Sequence, residues 1–325
     1  MAVRKAWLLK VLLCVATFIV IILLWGRRLE TLNTGQWLSF SPLVSSRTGV
    51  DFSLLSEDLL EPSCLSGLGL LILVTSHAQH RALRTAIRKT WALQYEDSAY
   101  PWQVVFLVGR PLDVELDWHV HSEHETNGDI LMGNYVDTYR NLTLKVMHGI
   151  KWAVERCQPL HILRTGDDCY VNTLKLPSFL SKHSPSNRLY VGSVYPEDKR
   201  LVIRDPSSKW YVSHQDYEHE VYPPYASGIG YILSLDAAKV ILQTARRVKP
   251  LPVEDAYVGI LADRAHIPPL SSARFAKHNA KWSTCNYRYL LVIHGLSPED
   301  QMLAQKNVLR TRTACTHSTE VTHWK

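Results

Sequence analysis

At 325 residues, 46% hydrophobic and 20% charged, the chain has apolar material for one large domain or two small ones, which excludes a disordered protein. A formal charge of +6 favours anionic ligands, but Lys and Arg are spread along the sequence, which argues against a nucleic-acid partner. Six cysteines, Cys14, Cys64, Cys157, Cys169, Cys285 and Cys315, form no C-x-x-C pair, which argues against structural zinc.

Residues 1–6 read as a cytoplasmic tail and residues 7–25 as a transmembrane signal anchor. Val11 to Trp25 carries no charge, Lys10 can snorkel, and the 19 residues from Trp7 to Trp25 roughly match a ~30 Å hydrocarbon core. Trp7 and Trp25 suit the interfacial belts. A cleaved signal peptide is the alternative, but Trp25-Gly26-Arg27-Arg28 is no small-residue cleavage site. Arg4, Lys5 and Lys10 outweigh Arg27 and Arg28 slightly, so the N-terminus is expected inside and the remainder lumenal, where disulfides can form. Residues 26–63 are Ser, Thr and Leu rich, are broken by Gly35, Pro42, Gly49 and Pro62, and read as a stem.

Residues 64–325 are expected to form the folded domain. Gly69–Ser76 is a continuous apolar run ending in small polar residues, the pattern of a strand buried on both faces. Arg81–Trp91 places Leu83, Ile87 and Trp91 at helical spacing, with Arg81 and Arg84 read as a solvated basic face. A strand over Trp102–Val108, a polar stretch, Gly128-Asp129-Ile130-Leu131 and a helix from about Val136 to Arg156 follow. Leu160–Leu163 is a further strand, and Leu189–Gly192 and Tyr231–Ser234 are short ones; Asp236–Thr244 and Asp255–Ala265 read as helices. The alternation predicts an α/β domain with a mostly parallel central sheet covered by helices.

Asp167 and Asp168 then fall just beyond a strand end, where open α/β sheets place ligands. Paired carboxylates there can hold a divalent cation and, through it, a diphosphate. The plain alternative is a solvated turn.

The motifs in order resemble the β-1,3-glycosyltransferases, glycosyltransferase family 31, which include β-1,3-galactosyltransferases and β-1,3-N-acetylglucosaminyltransferases. The resemblance spans about Cys64 to Cys315. It rests on Ala86-Ile87-Arg88-Lys89-Thr90-Trp91, Gly128-Asp129-Ile130, Asp137 to Lys145, Ser208 to Ser213, Tyr222 to Tyr231, Glu254 to Gly259, and His294 within the Cys285 to Glu299 segment. It implies a GT-A (Rossmann-like) domain on a single-pass type II anchor in the Golgi membrane. It further implies a UDP-sugar donor, a glycan acceptor on a glycoprotein or glycolipid, and homo- or hetero-oligomers with other transferases.

By the same resemblance Asp255 is the catalytic base, and Asp168 with His294 holds the metal, manganese by its ligand chemistry with magnesium as the alternative. Thr75, Arg88, Asp129, Lys145 and Asp167 are expected on the donor side, and Lys209, Trp210, Tyr211, Gly228, Gly230 and Glu254 on the acceptor side. Each has a plainer alternative. His294 could be a bonded histidine at a strand end, Glu254 and Asp255 helix-capping charges, Lys145 one half of an ion pair, and Trp210 a core residue.

Asn141-Leu142-Thr143 is a glycosylation acceptor sequence that helix placement could bury. The disulfides implied are Cys64–Cys157 and Cys285–Cys315, leaving Cys169 free.

The expected activity is inverting, metal-dependent galactose transfer, and N-acetylglucosamine transfer is the alternative. Ala226 and Ile293 stand where the galactosyltransferase branch often has cysteines, and Gly166 stands where the family usually has a carboxylate that contacts the donor. That last departure raises a further alternative, a catalytically inactive relative acting as a binding partner or chaperone.

Overall fold

The computed structural model describes residues 55, 58–93, 100–182, 188–278 and 282–315. The expected tail, the anchor over 7–25 and the stem as far as residue 54 lie outside the described residues. Among the described residues no helix is long and apolar enough to cross a membrane.

The run Leu70–Thr75 forms β2, and Leu70 to Val74 are each at most 1% exposed, as expected of a strand with both faces covered. Beside it lie β3 (Trp102–Arg110), β4 (Ile130–Val136) and β5 (His161–Gly166). These four run parallel in the order β4-β3-β2-β5. Their crossovers carry α1 (Arg81–Lys89), α2 (Val114–Asn127) and α3 (Leu142–Trp152).

Beyond β5 the sheet changes direction. β8 (Ala226–Ser234) runs antiparallel to β5, β7 (Tyr190–Val194) runs antiparallel to β8, and β9 (Leu270–Ser271) is parallel to β7. At the other edge β1 (Asp58–Leu60) pairs antiparallel with β4. The sheet is therefore mixed, and the mostly parallel sheet expected holds for β4-β3-β2-β5 but not for β8 and β7 beyond β5. No crossover helix separates β7 from β8, which antiparallel neighbours do not need.

Alternate residues of β2 feed opposite cores. Leu71 and Leu73 pack with α3, α5 (Leu235–Ala245) and α6 (Glu254–Arg264), whereas Leu70, Ile72 and Val74 pack toward α1 and α7 (Pro298–Ala314). A second, three-stranded sheet joins β6 (Cys169–Val171), β10 (Phe275–Ala276) and β11 (Val292–His294).

Four sequence expectations are corrected. The helix expected from Val136 starts at Leu142, because β4 runs to Val136 and a single 3-10 turn, Tyr139–Asn141, intervenes. The polar stretch before Gly128 is α2, which turns only Val120 and Glu123 fully inward and so shows no apolar stripe. Asp113 caps it, accepting from the Leu116 amide at 2.9 Å, and Gly128 ends it at φ 67°. The folded unit begins before Cys64, since β1 lies in the sheet and Leu55 is 3% exposed.

Arg84, read as solvated, is fully buried. It grips Glu123 with two nitrogens at 2.7 and 2.8 Å and donates to Ser76 Oγ and to the carbonyls of His77 and Ala78. The disulfides Cys64–Cys157 and Cys285–Cys315 are formed, and Cys169 is free and buried.

Burial pushes the Glu123 carboxyl up, but hydrogen bonds from Arg84 and Arg88 outweigh it and hold it below its ordinary value. Arg84→Met removes the bidentate partner of a buried carboxylate and should cost about 3–5 kcal/mol, read as a lowered urea midpoint; a midpoint within experimental error of the parent refutes this role.

Candidate active site

Strand β5 ends at Gly166, and the chain turns so that the next two carboxylates point to different surroundings. Asp167 is 7% exposed: its Oδ2 accepts from Ser76 Oγ at 2.7 Å and from His80 Nδ1 at 2.9 Å, and its carbonyl accepts from Gln301 Nε2 at 2.8 Å. Asp168 keeps an open side chain. The antiparallel register of β6 with β11 sets His294 opposite Cys169, and His294 Nε2 lies 3.2 Å from Asp168 Oδ2.

His294 Nδ1 donates to the Lys277 carbonyl at 3.0 Å, which fixes the ring and directs Nε2 at the carboxylate. The hydrogen bond to Asp168 holds the imidazole above its usual range. Burial opposes ionisation of Asp168, and the bond from His294 outweighs it, so its carboxyl lies below the ordinary value. Among the described residues no group of three or more His, Cys, Asp and Glu side chains gathers as for a metal. One imidazole and one carboxylate nonetheless fit a manganese or magnesium ion whose other ligands are phosphates and water.

Asp255 enters at the N-terminus of α6. Its Oδ2 accepts from the Gly228 amide and its Oδ1 from the Ala256 amide, both at 2.9 Å. Burial raises its pKa, opposed by the Gly228 amide and by Arg164. The contact that ties this carboxylate to the first pair is short: Cys169 Sγ donates to the Ile229 carbonyl at 3.3 Å. Asp168 precedes Cys169 and Gly228 precedes Ile229, so the two strands set both carboxylates at one sheet end.

Beside Asp255, Glu254 is 3% exposed. Its oxygens are taken by Tyr231 Oη at 2.6 Å and Arg164 at 2.7 Å. It therefore has no free edge for an acceptor, contrary to the expectation. Burial pushes its carboxyl up to about 7 even with Arg164 alongside.

Most of the expected donor residues brace one another. Arg88 binds Asp129 with two nitrogens at 2.7 and 2.8 Å, binds Glu123 with the third at 2.7 Å, and lies over Phe106. Arg88 and Asp129 thus face each other, with about a fifth of each side chain left exposed. Lys145 is buried with Nζ on the Ser76 carbonyl at 2.7 Å and on Asp137 at 2.6 Å, the ion pair held open as its alternative. Thr75 Oγ1 donates to the Thr165 carbonyl at 3.1 Å. These groups support the Ser76–His80 loop from beneath, while His80 keeps nearly half of its side chain exposed.

On the acceptor side Lys209 Nζ lies 4.6 Å from the Trp210 ring centre and 5.3 Å from that of Tyr139. Trp210 is 47% exposed, which removes the core reading. Burial, then the charge of Asp255, pushes the Tyr139 phenol up to about 12, which ties this platform to the carboxylate. Tyr211 is half-buried beside it. Gly228 borders Asp255, whereas a Cβ on Gly230 would meet Val292 at 3.3 Å, so Gly230 serves strand packing instead of a sugar. Asn141 Nδ2 donates to the Val136 carbonyl at 2.9 Å, so the atom that would carry a glycan is engaged.

Sequence reasoning gave no role to Arg164, Lys277 or Gln301. Arg164 gave the one available signal, a charge directly after the apolar run Leu160–Leu163. Lys277 joins both halves of the site: its carbonyl holds His294, its ammonium lies 3.4 Å from the Tyr195 ring centre, and Asp255 acts on it electrostatically.

A family model described as galactosyltransferase matches residues 82–272. Beta-1,3-galactosyltransferase 1 of Mus musculus is 34% identical over 233 residues, 71% of this chain and 70% of the relative. UDP-GalNAc:beta-1,3-N-acetylgalactosaminyltransferase 1 of Homo sapiens is 33% identical over 252 residues, 75% of each chain. The crystal structure of mouse xyloside xylosyltransferase 1, apo form, aligns at a TM-score of 0.37 with 13% identity, covering 71% of this chain and 98% of that one.

The folded-state pKa of Glu254, about 7, exceeds its ordinary 4.5, so between those values the native state holds a proton that the unfolded chain releases. Stability from this group is therefore present at low pH and lost as pH rises toward 7. Glu254→Gln should flatten that part of the stability-against-pH curve in urea titrations; an unchanged slope sinks the assignment.

Proposed function

The chain belongs to the galactosyltransferase family and is a glycosyltransferase, and on that premise we propose that it transfers galactose from UDP-galactose to the 3-hydroxyl of a terminal sugar. The acceptor glycan is carried by a glycoprotein or glycolipid. The single observation carrying the reading is the junction at Cys169 and Ile229, which sets Asp255 at the same sheet end as the Asp168–His294 pair.

The chemistry needs one base. Asp255, ionised, takes the acceptor hydroxyl proton as that oxygen bonds to the anomeric carbon. The bond from that carbon to the diphosphate oxygen breaks, and its electron pair leaves with UDP. A single displacement of this kind inverts the configuration. The amide of Gly228 keeps Asp255 Oδ2 in place, and burial keeps its basicity above that of a solvated aspartate. Asp168 and His294 would hold the cation, manganese before magnesium, and when bound it neutralises charge on the departing diphosphate. Lys209 and Trp210 offer the face on which a sugar ring can stack.

We assign the site to a lumenal domain on a type II Golgi anchor, a placement supported by the apolar run over residues 7–25 and by two disulfides. N-Acetylgalactosamine and N-acetylglucosamine are the competing donors. A second reading, a family member that binds without turnover, is favoured by Gly166 alone: a side chain there would start 2.8 Å from Asp168 Oδ1, so the chain lacks a second carboxylate on that edge.

UDP release from UDP-galactose, UDP-N-acetylgalactosamine and UDP-N-acetylglucosamine over an acceptor panel with manganese tests the assignment. Release should be fastest with UDP-galactose; UDP binding without release from any donor would establish the non-catalytic reading instead.

Asp255→Asn should lower transfer about 10²–10⁴-fold and spare UDP binding, whereas Asp168→Ala should weaken both. Equal loss of UDP binding in the two variants contradicts the division of roles. Because burial raises the pKa of Asp255, activity should rise with pH through a limb centred above 3.8, the ordinary aspartate value, in kcat/KM profiles.

A further inference from the structure

Away from the carboxylates, the segment Asn172–Lys175 between β6 and the short helix α4 (Leu176–Leu180), the turn Thr284–Arg288 and the last turns of α7 line an open cleft of about 370 Å³. Asn172 stands four residues beyond Asp168, roughly 13 Å at ~3.3 Å per strand residue. The cleft is thus separate from the proposed transfer site.

Its lining combines three cations, Lys175, Arg288 and Arg312, with Asn172 and the apolar surfaces of Leu174, Tyr287 and Val308. None of the three cations forms an ion pair with a carboxylate among the described residues. Arg288 instead donates to the Cys315 carbonyl, and Arg274 adds a further positive charge nearby. Burial, then repulsion from Arg274, Arg288 and Lys182, lowers the pKa of Lys175, the response of an ammonium facing like charges.

Asn172 joins the cleft to the turn that carries Arg288. It is 3% exposed, and its Nδ2 donates to the carbonyls of Tyr287 and Leu290, both at 3.1 Å. Two carbonyl partners fix the orientation of the amide, and its Oδ1 is then buried with no hydrogen-bond donor. A cleft lined by three cations that meet no carboxylate among the described residues matches a ligand that carries an oxyanion.

We propose that this cleft is a second binding site, for an acidic saccharide whose sulfate or carboxylate is held by Lys175, Arg288 and Arg312. Tyr287 and Leu174 give the sugar ring an apolar wall. The saccharide class rests on the reading of the chain as a glycan-modifying enzyme; the anion site rests on the lining alone.

Ligand-observed NMR on the folded protein with saturating UDP tests this, using 6-sulfo-lactose, lactose and inorganic sulfate as probes. Sulfo-lactose should bind more tightly than either other probe, and Lys175→Gln and Arg312→Gln should each weaken it about tenfold, the worth of one charge-assisted hydrogen bond. UDP binding and the melting temperature of both variants should match the parent, which separates failure of this site from failure of the transferase reading. Absence of sulfo-lactose binding, or equal affinity in parent and variants, overturns the site. Sulfate bound as tightly as sulfo-lactose overturns the saccharide assignment.

Discussion

A guanidinium buried in the middle of a sheet governs the arrangement of this domain. Arg164 lies in β5, 3% exposed, between Leu163 and Thr165, which are fully buried. An uncompensated cation there would cost several kcal/mol. The compensation comes from two other elements: Glu254 at the head of α6, 2.7 Å from the guanidinium and carrying the opposing charge as it ionises near pH 7, and the Gly228 carbonyl on β8. Tyr231, also on β8, offers its ring face to Arg164 and its hydroxyl to Glu254. The antiparallel β8 and the start of α6 are therefore held in place by one charge, and Asp255 is delivered beside the Gly228 amide as a result.

A second buried charge cluster shapes the opposite side of the sheet end. Glu123 gathers Arg84 and Arg88, Arg88 gathers Asp129, and Arg84 reaches back to Ser76 and the His77 carbonyl. Lys145 meets the Ser76 carbonyl from below. The Ser76–His80 loop is thus shaped by cations that are themselves neutralised, so its outward groups, His80 among them, are what a ligand meets.

Much of the parallel sheet was legible because β2 is a short apolar run ending in small polar residues and β5 begins on a shorter apolar run, a pattern that survives any tertiary context. The antiparallel half was not, since strand direction depends on the connection and the partner, and neither leaves a local period. Helix α2 escaped because its inward face is anchored by a carboxylate, Glu123, instead of an apolar stripe. In the site, Asp168, His294 and Asp255 were named from motifs, and the structure brings them to one sheet end. The motif could not separate residues that touch a ligand from residues that shape the loop touching it. Glu254, closed off by Arg164 and Tyr231, belongs to the latter group, a distinction made only by knowing which hydrogen bonds are already spent.

Gln301 links the last helix to this region. It is fully buried; its Oε1 accepts from Trp91 Nε1 at 3.1 Å while its Nε2 holds the Asp167 carbonyl. Every strand of both sheets is complete before Pro298, so a chain ended there by a premature stop codon would still encode the whole sheet framework. It would lack the amide that clamps the turn carrying Asp167 and Asp168. Loss of α7 therefore reaches the carboxylate turn as well as the core and the Cys285–Cys315 bridge, although the helix lies more than 130 residues from Asp167 in sequence.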